Sequence, residues 1–196
     1  MASTHLSYLR KSGKINKMKP VRIIVHTTAD LYPFAQLERV NEWHKQLDFP
    51  RSSIGFWVGY TYFVERDGKV IQTRLDTEQQ AHVKGYNSDS IGIGVAGNHD
   101  YERPTALQLQ AVKNLILKKM TEYSILPNNV FGHRIFTNAK TCPGLKWPES
   151  EIKQLFQPDA GYYQNLLNSL KEILLKLQMR KLGSASHNCM DSETKN

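Results

Sequence analysis

Residues 131–144 read FGHRIFTNAKTCPG and bring a histidine (His133), a lysine (Lys140) and a cysteine (Cys142) into one short stretch. Imidazole nitrogen and thiolate sulfur are two of the donors that hold zinc, and a lysine two positions before the cysteine is a cation that could sit beside the metal. A catalytic zinc site takes three protein ligands and keeps a position open for water or substrate. The stretch by itself is therefore incomplete. Taken alone, Cys142 is more often a small buried residue than a ligand, and Lys140 more often an exposed loop cation.

The third ligand has to come from elsewhere, and seven histidines are available. His5 and His187 lie in tails. His44 adjoins Trp43 on a helical stretch and reads as structural. His82 sits in a polar loop, and the role of His99 is open. His26 differs because it closes the β-branched run VRIIV, and strand ends are where open α/β sheets build sites. A lone histidine there is more often a satisfied polar residue. Beside His133 and Cys142 it becomes the natural third ligand.

The elements that must position these residues follow from periodicity. Val21–Val25 predicts a buried strand. Residues 34–49 carry apolar side chains at helical spacing, with Pro50 as the stop. Residues 56–64 are aromatic and β-branched and predict a strand. Arg66-Asp67-Gly68 predicts a hairpin turn, with 69–73 returning. A polar loop spans 75–89. Residues 90–96, SIGIGVA, predict a central strand whose glycines permit close approach of another backbone or a ligand. Thr105 is a plausible N-cap for a helix to Tyr123, with Leu107, Leu109, Val112, Leu115, Ile116 and Met120 as its buried stripe. Residues 149–156 predict one or two helical turns. Residues 162–182 predict an amphipathic helix with a leucine-rich stripe through Tyr163, Leu166, Leu167, Leu170, Ile173, Leu174 and Leu177.

The order strand, helix, hairpin, strand, helix implies an α/β fold, a mixed central β-sheet flanked by helices. Three segments are expected: a basic arm over 1–20, a catalytic domain over 21–157, and a C-terminal amphipathic helix with a polar tail over 158–196. The net charge of +8 is uneven, because residues 1–20 hold five basic residues and no acidic one. Such an arm can touch an anionic surface, though more often it is a solvated tail. No apolar run is long enough to cross a bilayer. No apolar segment follows the N-terminal charges, so a protein made in the cytoplasm without a secretory signal is expected. Its two cysteines, Cys142 and Cys189, are then expected to be free thiols.

The series IIVHTTA, GYTYFVERDG, AHVKGYNSDSIGIGVAG and GHRIFTNAKTCPG resembles the zinc-dependent type 2 N-acetylmuramoyl-L-alanine amidases. That superfamily includes the phage amidase-type lysozymes and the animal peptidoglycan recognition proteins, and the likeness runs from about Val21 to Trp147. The resemblance implies a zinc ion on His26, His133 and Cys142, with Tyr60 and Lys140 as catalytic residues. It implies substrate contacts from Thr27, His82, Lys84, Tyr86, Asn87 and Arg134. One branch of the family carries a glutamate base shortly after SIGI. Here that place reads Gly94-Val95, which puts the chain with the tyrosine-using branch.

The implied reaction is hydrolysis of the amide joining N-acetylmuramic acid to L-alanine in peptidoglycan. The protein would reach the bacterial cell wall after release or export, as a phage-type endolysin does. Neither an organic cofactor nor a nucleic-acid partner is implied. An anionic membrane or wall surface is a candidate partner for the basic arm and the C-terminal helix. The oligomeric state is not fixed by the sequence, and a monomer is compatible with it. Two rival readings are a non-catalytic peptidoglycan-binding protein and an amidase with a second, regulatory protein-binding role. The presence of Cys142 ranks catalysis above pure recognition.

Overall fold

The computed structural model describes residues 18–34, 36–137, 140–157 and 167–179. The chain divides into two compact units, Met1–Phe156 and Gln157–Asn196. Of the basic arm, only Met18, Lys19 and Pro20 are described. Met18 is buried and donates its backbone N–H to Thr77.

The first unit is built on a five-stranded sheet. In chain order the strands are β1 (Arg22–Thr27), β2 (Tyr62–Val64), β3 (Val70–Gln72), β4 (Ser90–Val95) and β5 (Val130–Gly132). Their spatial order is β3-β2-β4-β1-β5. β4 is central, as its glycine-punctuated apolar run predicts. It pairs in parallel with β1 and β2, β1 pairs in parallel with β5, and only the β2–β3 hairpin is antiparallel. Gly68 closes that hairpin at φ +84°, a conformation that side chains with a Cβ resist.

Alternation along the strands sends side chains to two layers. Ile23, Val25, Ile91, Ile93, Val95 and Val130 pack with Val112, Leu115 and Ile116 of α2 (Ala106–Tyr123) and Ile152 of α3 (Glu149–Leu155). Phe63 faces the other layer, with Val58, Tyr60 and the Leu37 and Val40 side chains of α1 (Gln36–Gln46). Thr105 caps α2 in a reciprocal capping box with Gln108.

Four expectations need correcting. α1 stops at Gln46, before Pro50, because Asp48 adopts φ +55°. The N–H groups of Asp48 and Phe49 then bond back to Lys45 and His44, which satisfies the last carbonyls of the helix. The strand expected over 56–64 is regular only from Tyr62, because Gly59 pairs its carbonyl with the Ala81 N–H of the neighbouring loop. Leu107 is exposed, and Gln108 takes the buried place in the first turn of α2. Finally, β5 was not expected within the His133 stretch.

In the second unit residues 167–179 are helical, with every side chain exposed. The predicted ends of this helix, 162–166 and 180–182, lie outside the described residues.

Candidate metal centre

His26 points to the α1 side of the sheet from the C-terminal end of β1. His133 follows directly after β5, and Cys142 arrives on the loop beyond it. Their donor atoms lie within 4.8 Å of one another, the one such cluster among the described residues. Cys142 Sγ is 3.8 Å from His26 Nδ1. A tetrahedral metal held by imidazole at about 2.0 Å and thiolate at about 2.3 Å separates those two donors by about 3.5 Å. The geometry therefore fits a metal between them.

The electrostatics fit as well. Burial, followed by the charges of His82 and His133, holds His26 well below its usual pKa. Burial, with Lys140 next, brings His133 down to about 4. Both rings are thus neutral donors at neutral pH. Burial pushes the Cys142 thiol up to about 11, against the opposing pull of the Thr27 N–H and Lys140. The metal-free thiol keeps its proton, and binding a dication would release it. The Thr27 N–H lies 3.4 Å from Sγ.

The loop carrying Cys142 is held from two sides. Arg134 donates from Nη2 to the carbonyls of Gly144 and Trp147, and its backbone N–H donates to the Cys142 carbonyl at 2.7 Å. Asp100, just past β4, accepts from the Leu145 N–H through Oδ1 and from Thr141 Oγ1 through Oδ2, each at 2.8 Å. The His99 carbonyl accepts the Lys146 N–H. Asp100 was not foreseen. Its only signal in the sequence was its place just beyond a central strand.

Two glycines of β4 shape the floor. Gly92 and Gly94 face the same side as His26, because Ile24 pairs with Gly92 and His26 with Gly94. A Cβ on Gly92 would come within 3.0 Å of the His82 ring, and one on Gly94 within 2.3 Å of the Tyr60 ring. The glycines therefore leave room on β4 for two aromatic rings that both stand close to His26. The Tyr60 ring centre is 5.0 Å from that of His26, and the His82 ring centre 4.9 Å. Burial, then the neighbouring Cys142, raises the Tyr60 pKa, so its phenol stays protonated and acts as a donor.

A cavity of about 530 Å³ opens over the triad, and Tyr60, His82, Asp100 and Lys140 also line it. A second cavity of about 500 Å³, lined by Asp30, Arg39 and Glu42, adjoins it along Thr28, Ala29 and Trp43. Thr27 borders the first cavity, and its hydroxyl donates to the Gly97 carbonyl.

The remaining sequence candidates occupy other places. Asn87 Oδ1 accepts the N–H groups of His82 and Val83, which folds the 82–87 loop onto itself. Tyr86 packs against Phe136 under the Arg22 guanidinium. Lys84 is exposed near the loop tip, and neither it nor Tyr86 lines the cavity over the triad. His44, read as structural, is buried against Phe49 and accepts the Gly59 N–H.

Comparison with known proteins agrees with this geometry. Residues 16–145 match the family described as N-acetylmuramoyl-L-alanine amidase. Peptidoglycan-recognition protein SC2 of Drosophila melanogaster is 28% identical over 129 residues, which is 64% of this chain and 70% of that protein. The endolysin of Klebsiella phage KP32 is 30% identical over 141 residues, covering 67% of this chain and 87% of that one. Among solved structures, the N-acetylmuramoyl-L-alanine amidase LysC from Clostridium intestinale URNW superposes with a TM-score of 0.60 at 26% identity. That alignment covers 71% of this chain and 86% of LysC.

Proposed function

The chain belongs to the N-acetylmuramoyl-L-alanine amidase family, matched over residues 16–145, and on that premise we propose that it hydrolyses the amide between N-acetylmuramic acid and L-alanine of peptidoglycan, with zinc held by His26, His133 and Cys142. The observation that carries the reading is the convergence of two neutral imidazoles and one thiol from chain segments far apart in sequence. Two nitrogens and a sulfur in a compact triad suit zinc better than the oxygen-loving dications. Bound there, zinc would supply Lewis acidity and a water acidified toward neutral pH.

The chain's own side chains divide the remaining work. Lys140 places a cation at the cavity wall, where negative charge develops on the scissile carbonyl oxygen. Tyr60, which lines the same cavity with its ring centre 5.0 Å from that of His26, offers a hydrogen-bond donor. Loss of one such preorganised donor costs about 3 kcal/mol of barrier in other enzymes. The cavity wall at Thr27 and Ala29 borders the substrate.

Digestion of purified peptidoglycan with mass analysis tests this directly. Free stem peptides should be released, a chelator should abolish their release, and added zinc should restore it. Cleavage of sugar or crosslink bonds instead would overturn the reading, as would full activity in Cys142→Ser.

We extend the proposal to helix 167–179. Leu167, Leu170, Ile173, Leu174 and Leu177 share one face, and each is at least half exposed. Lys171 and Lys176 flank that face against the single acid Glu172. This is the pattern of a helix that lies on an anionic lipid surface. Co-sedimentation with anionic vesicles should weaken when the chain is cut after residue 157, and equal binding would dismiss the extension.

A further inference from the structure

The strongest unassigned feature is a chain of hydrogen bonds leading away from the proposed metal site. His26 Nε2 lies 2.8 Å from His82 Nδ1. His82 Nε2 lies 2.9 Å from Ser90 Oγ. The Ser90 hydroxyl in turn reaches the backbone carbonyl of Tyr86. Three side chains and one main-chain oxygen are thus linked in series.

The direction of every bond can be worked out from the far end. A backbone carbonyl only accepts, so the Ser90 hydroxyl must donate its proton to Tyr86. With that proton committed, Ser90 Oγ accepts from His82, which places a hydrogen on His82 Nε2. A neutral imidazole carries one N–H, so His82 Nδ1 is then a bare acceptor. His26 must therefore donate from Nε2, and its own Nδ1 is left with a free lone pair. That nitrogen is the one 3.8 Å from Cys142 Sγ, facing the metal position.

We propose that His82 is a positioning residue, which with Ser90 and the Tyr86 carbonyl locks His26 in the tautomer whose Nδ1 can bind the metal. Outer partners of ligating histidines fix tautomer and ring orientation in metal sites generally. Here the partner is a second histidine, and a main-chain carbonyl sets the direction of the whole series. The arrangement also gives the Lys84-Gly85-Tyr86-Asn87 turn a task. Asn87 Oδ1 holds the N–H groups of His82 and Val83 at 2.8 Å, and the turn ends by presenting the Tyr86 carbonyl to Ser90. Gly92 completes the device by leaving room for the His82 ring. His82 also lines the cavity over the triad, so orienting a ligand adds to the substrate contact expected of it.

The inference rests on the zinc reading above, and its test separates the two. In metal-free wild-type protein, nitrogen-15 spectra of the imidazoles should show His26 protonated at Nε2 and bare at Nδ1. The opposite tautomer would overturn the inference whatever the protein's activity, and needs no variant to fold. Zinc affinity, read by competition with a chromophoric chelator, should fall about 10- to 100-fold in His82→Leu. His82→Asn, whose amide oxygen can take the place of Nδ1, should recover most of that loss. Ser90→Ala should leave the metal-free His26 as a mixture of tautomers. Wild-type zinc affinity in His82→Leu would overturn the inference, as would equal losses in the Leu and Asn variants. A wild-type protein that takes up no zinc would instead sink the metal reading on which both stand.

Discussion

Gly94 and Tyr60 meet so closely that a single methyl group on the glycine would lie 2.3 Å from the tyrosine ring. The strand residue beside His26 therefore sets how near the phenol stands to the proposed reaction centre. Gly94→Ala must push the ring outward. Overpacking of this kind costs about 1–3 kcal/mol of stability, and misplacing a reacting group by about 1 Å costs roughly 100-fold in rate. We expect kcat on a soluble muropeptide to drop by that order while zinc content is unchanged. A variant with wild-type kcat would show that the position of Tyr60 does not matter.

Asp100 ties down the Cys142 loop through two bonds to its carboxylate. Asp100→Ala removes both acceptors, at about 1.5–3 kcal/mol for hydrogen bonds to a charged group, with the low end favoured because the residue is partly exposed. Zinc should also dissociate faster, since Cys142 is less firmly placed. Asp100→Asn keeps one acceptor and should lie between the two. Thermal melts with and without zinc read both effects, and an Asp100→Ala protein that matches wild type in each would refute the clamp.

Away from the site, Asp76 is the hub of a buried network. Its carboxylate accepts from Lys119 Nζ, from Tyr62 OH at 2.6 Å and from Tyr123 OH at 2.9 Å. Lys119 and Asp76 are both buried. Asp76→Ala leaves a buried cation with Glu122 alone and two phenols short of an acceptor. Breaking such a pair costs about 3–5 kcal/mol. Chemical denaturation should show that loss, with catalytic constants unaltered at permissive temperature.

Acid should weaken the fold in a defined window. Burial holds His44 and His99 at about 4, below the ordinary 6.5. Between those values the unfolded chain takes up protons that the folded chain refuses. Stability is therefore intact above about pH 6.5 and declines as pH falls toward 4, by an order of 3 kcal/mol for each ring. Melting temperatures of the metal-free protein should drop accordingly, and a level profile from about pH 7.5 to 4.5 would count against the buried neutral rings.

Much of this was legible in the residues themselves. His26, His133 and Cys142 stand out because few side chains bind a soft dication and because one of them ends a β-branched run. The core strands β1 and β4 follow from unbroken apolar character. β5 was hidden because Val130–Gly132 is too short to show alternation after Pro127-Asn128-Asn129. Phe56–Thr61 looked like strand because its side chains are aromatic and β-branched, whereas Gly59 pairs with the loop at Ala81 and the regular strand begins only at Tyr62. His82 read as a surface loop residue because its neighbours are polar. Only the hollow made by Gly92 on a strand distant in sequence draws it inward. Asp100 and Ser90 act through bonds to partners that sequence order does not reveal.

The strand order carries a consequence for how the protein comes into being. Among the described residues, the edge of β1 away from β4 is covered by β5, which follows it in the chain by more than a hundred residues. Until Val130–Gly132 arrives, Ile23–Val25 presents open backbone donors and acceptors to any passing strand. The segment that closes this edge leads directly into His133 and then Cys142. One docking event therefore both seals the growing chain against misassociation and completes the triad, so that a chain halted before β5 would be sticky and inert together.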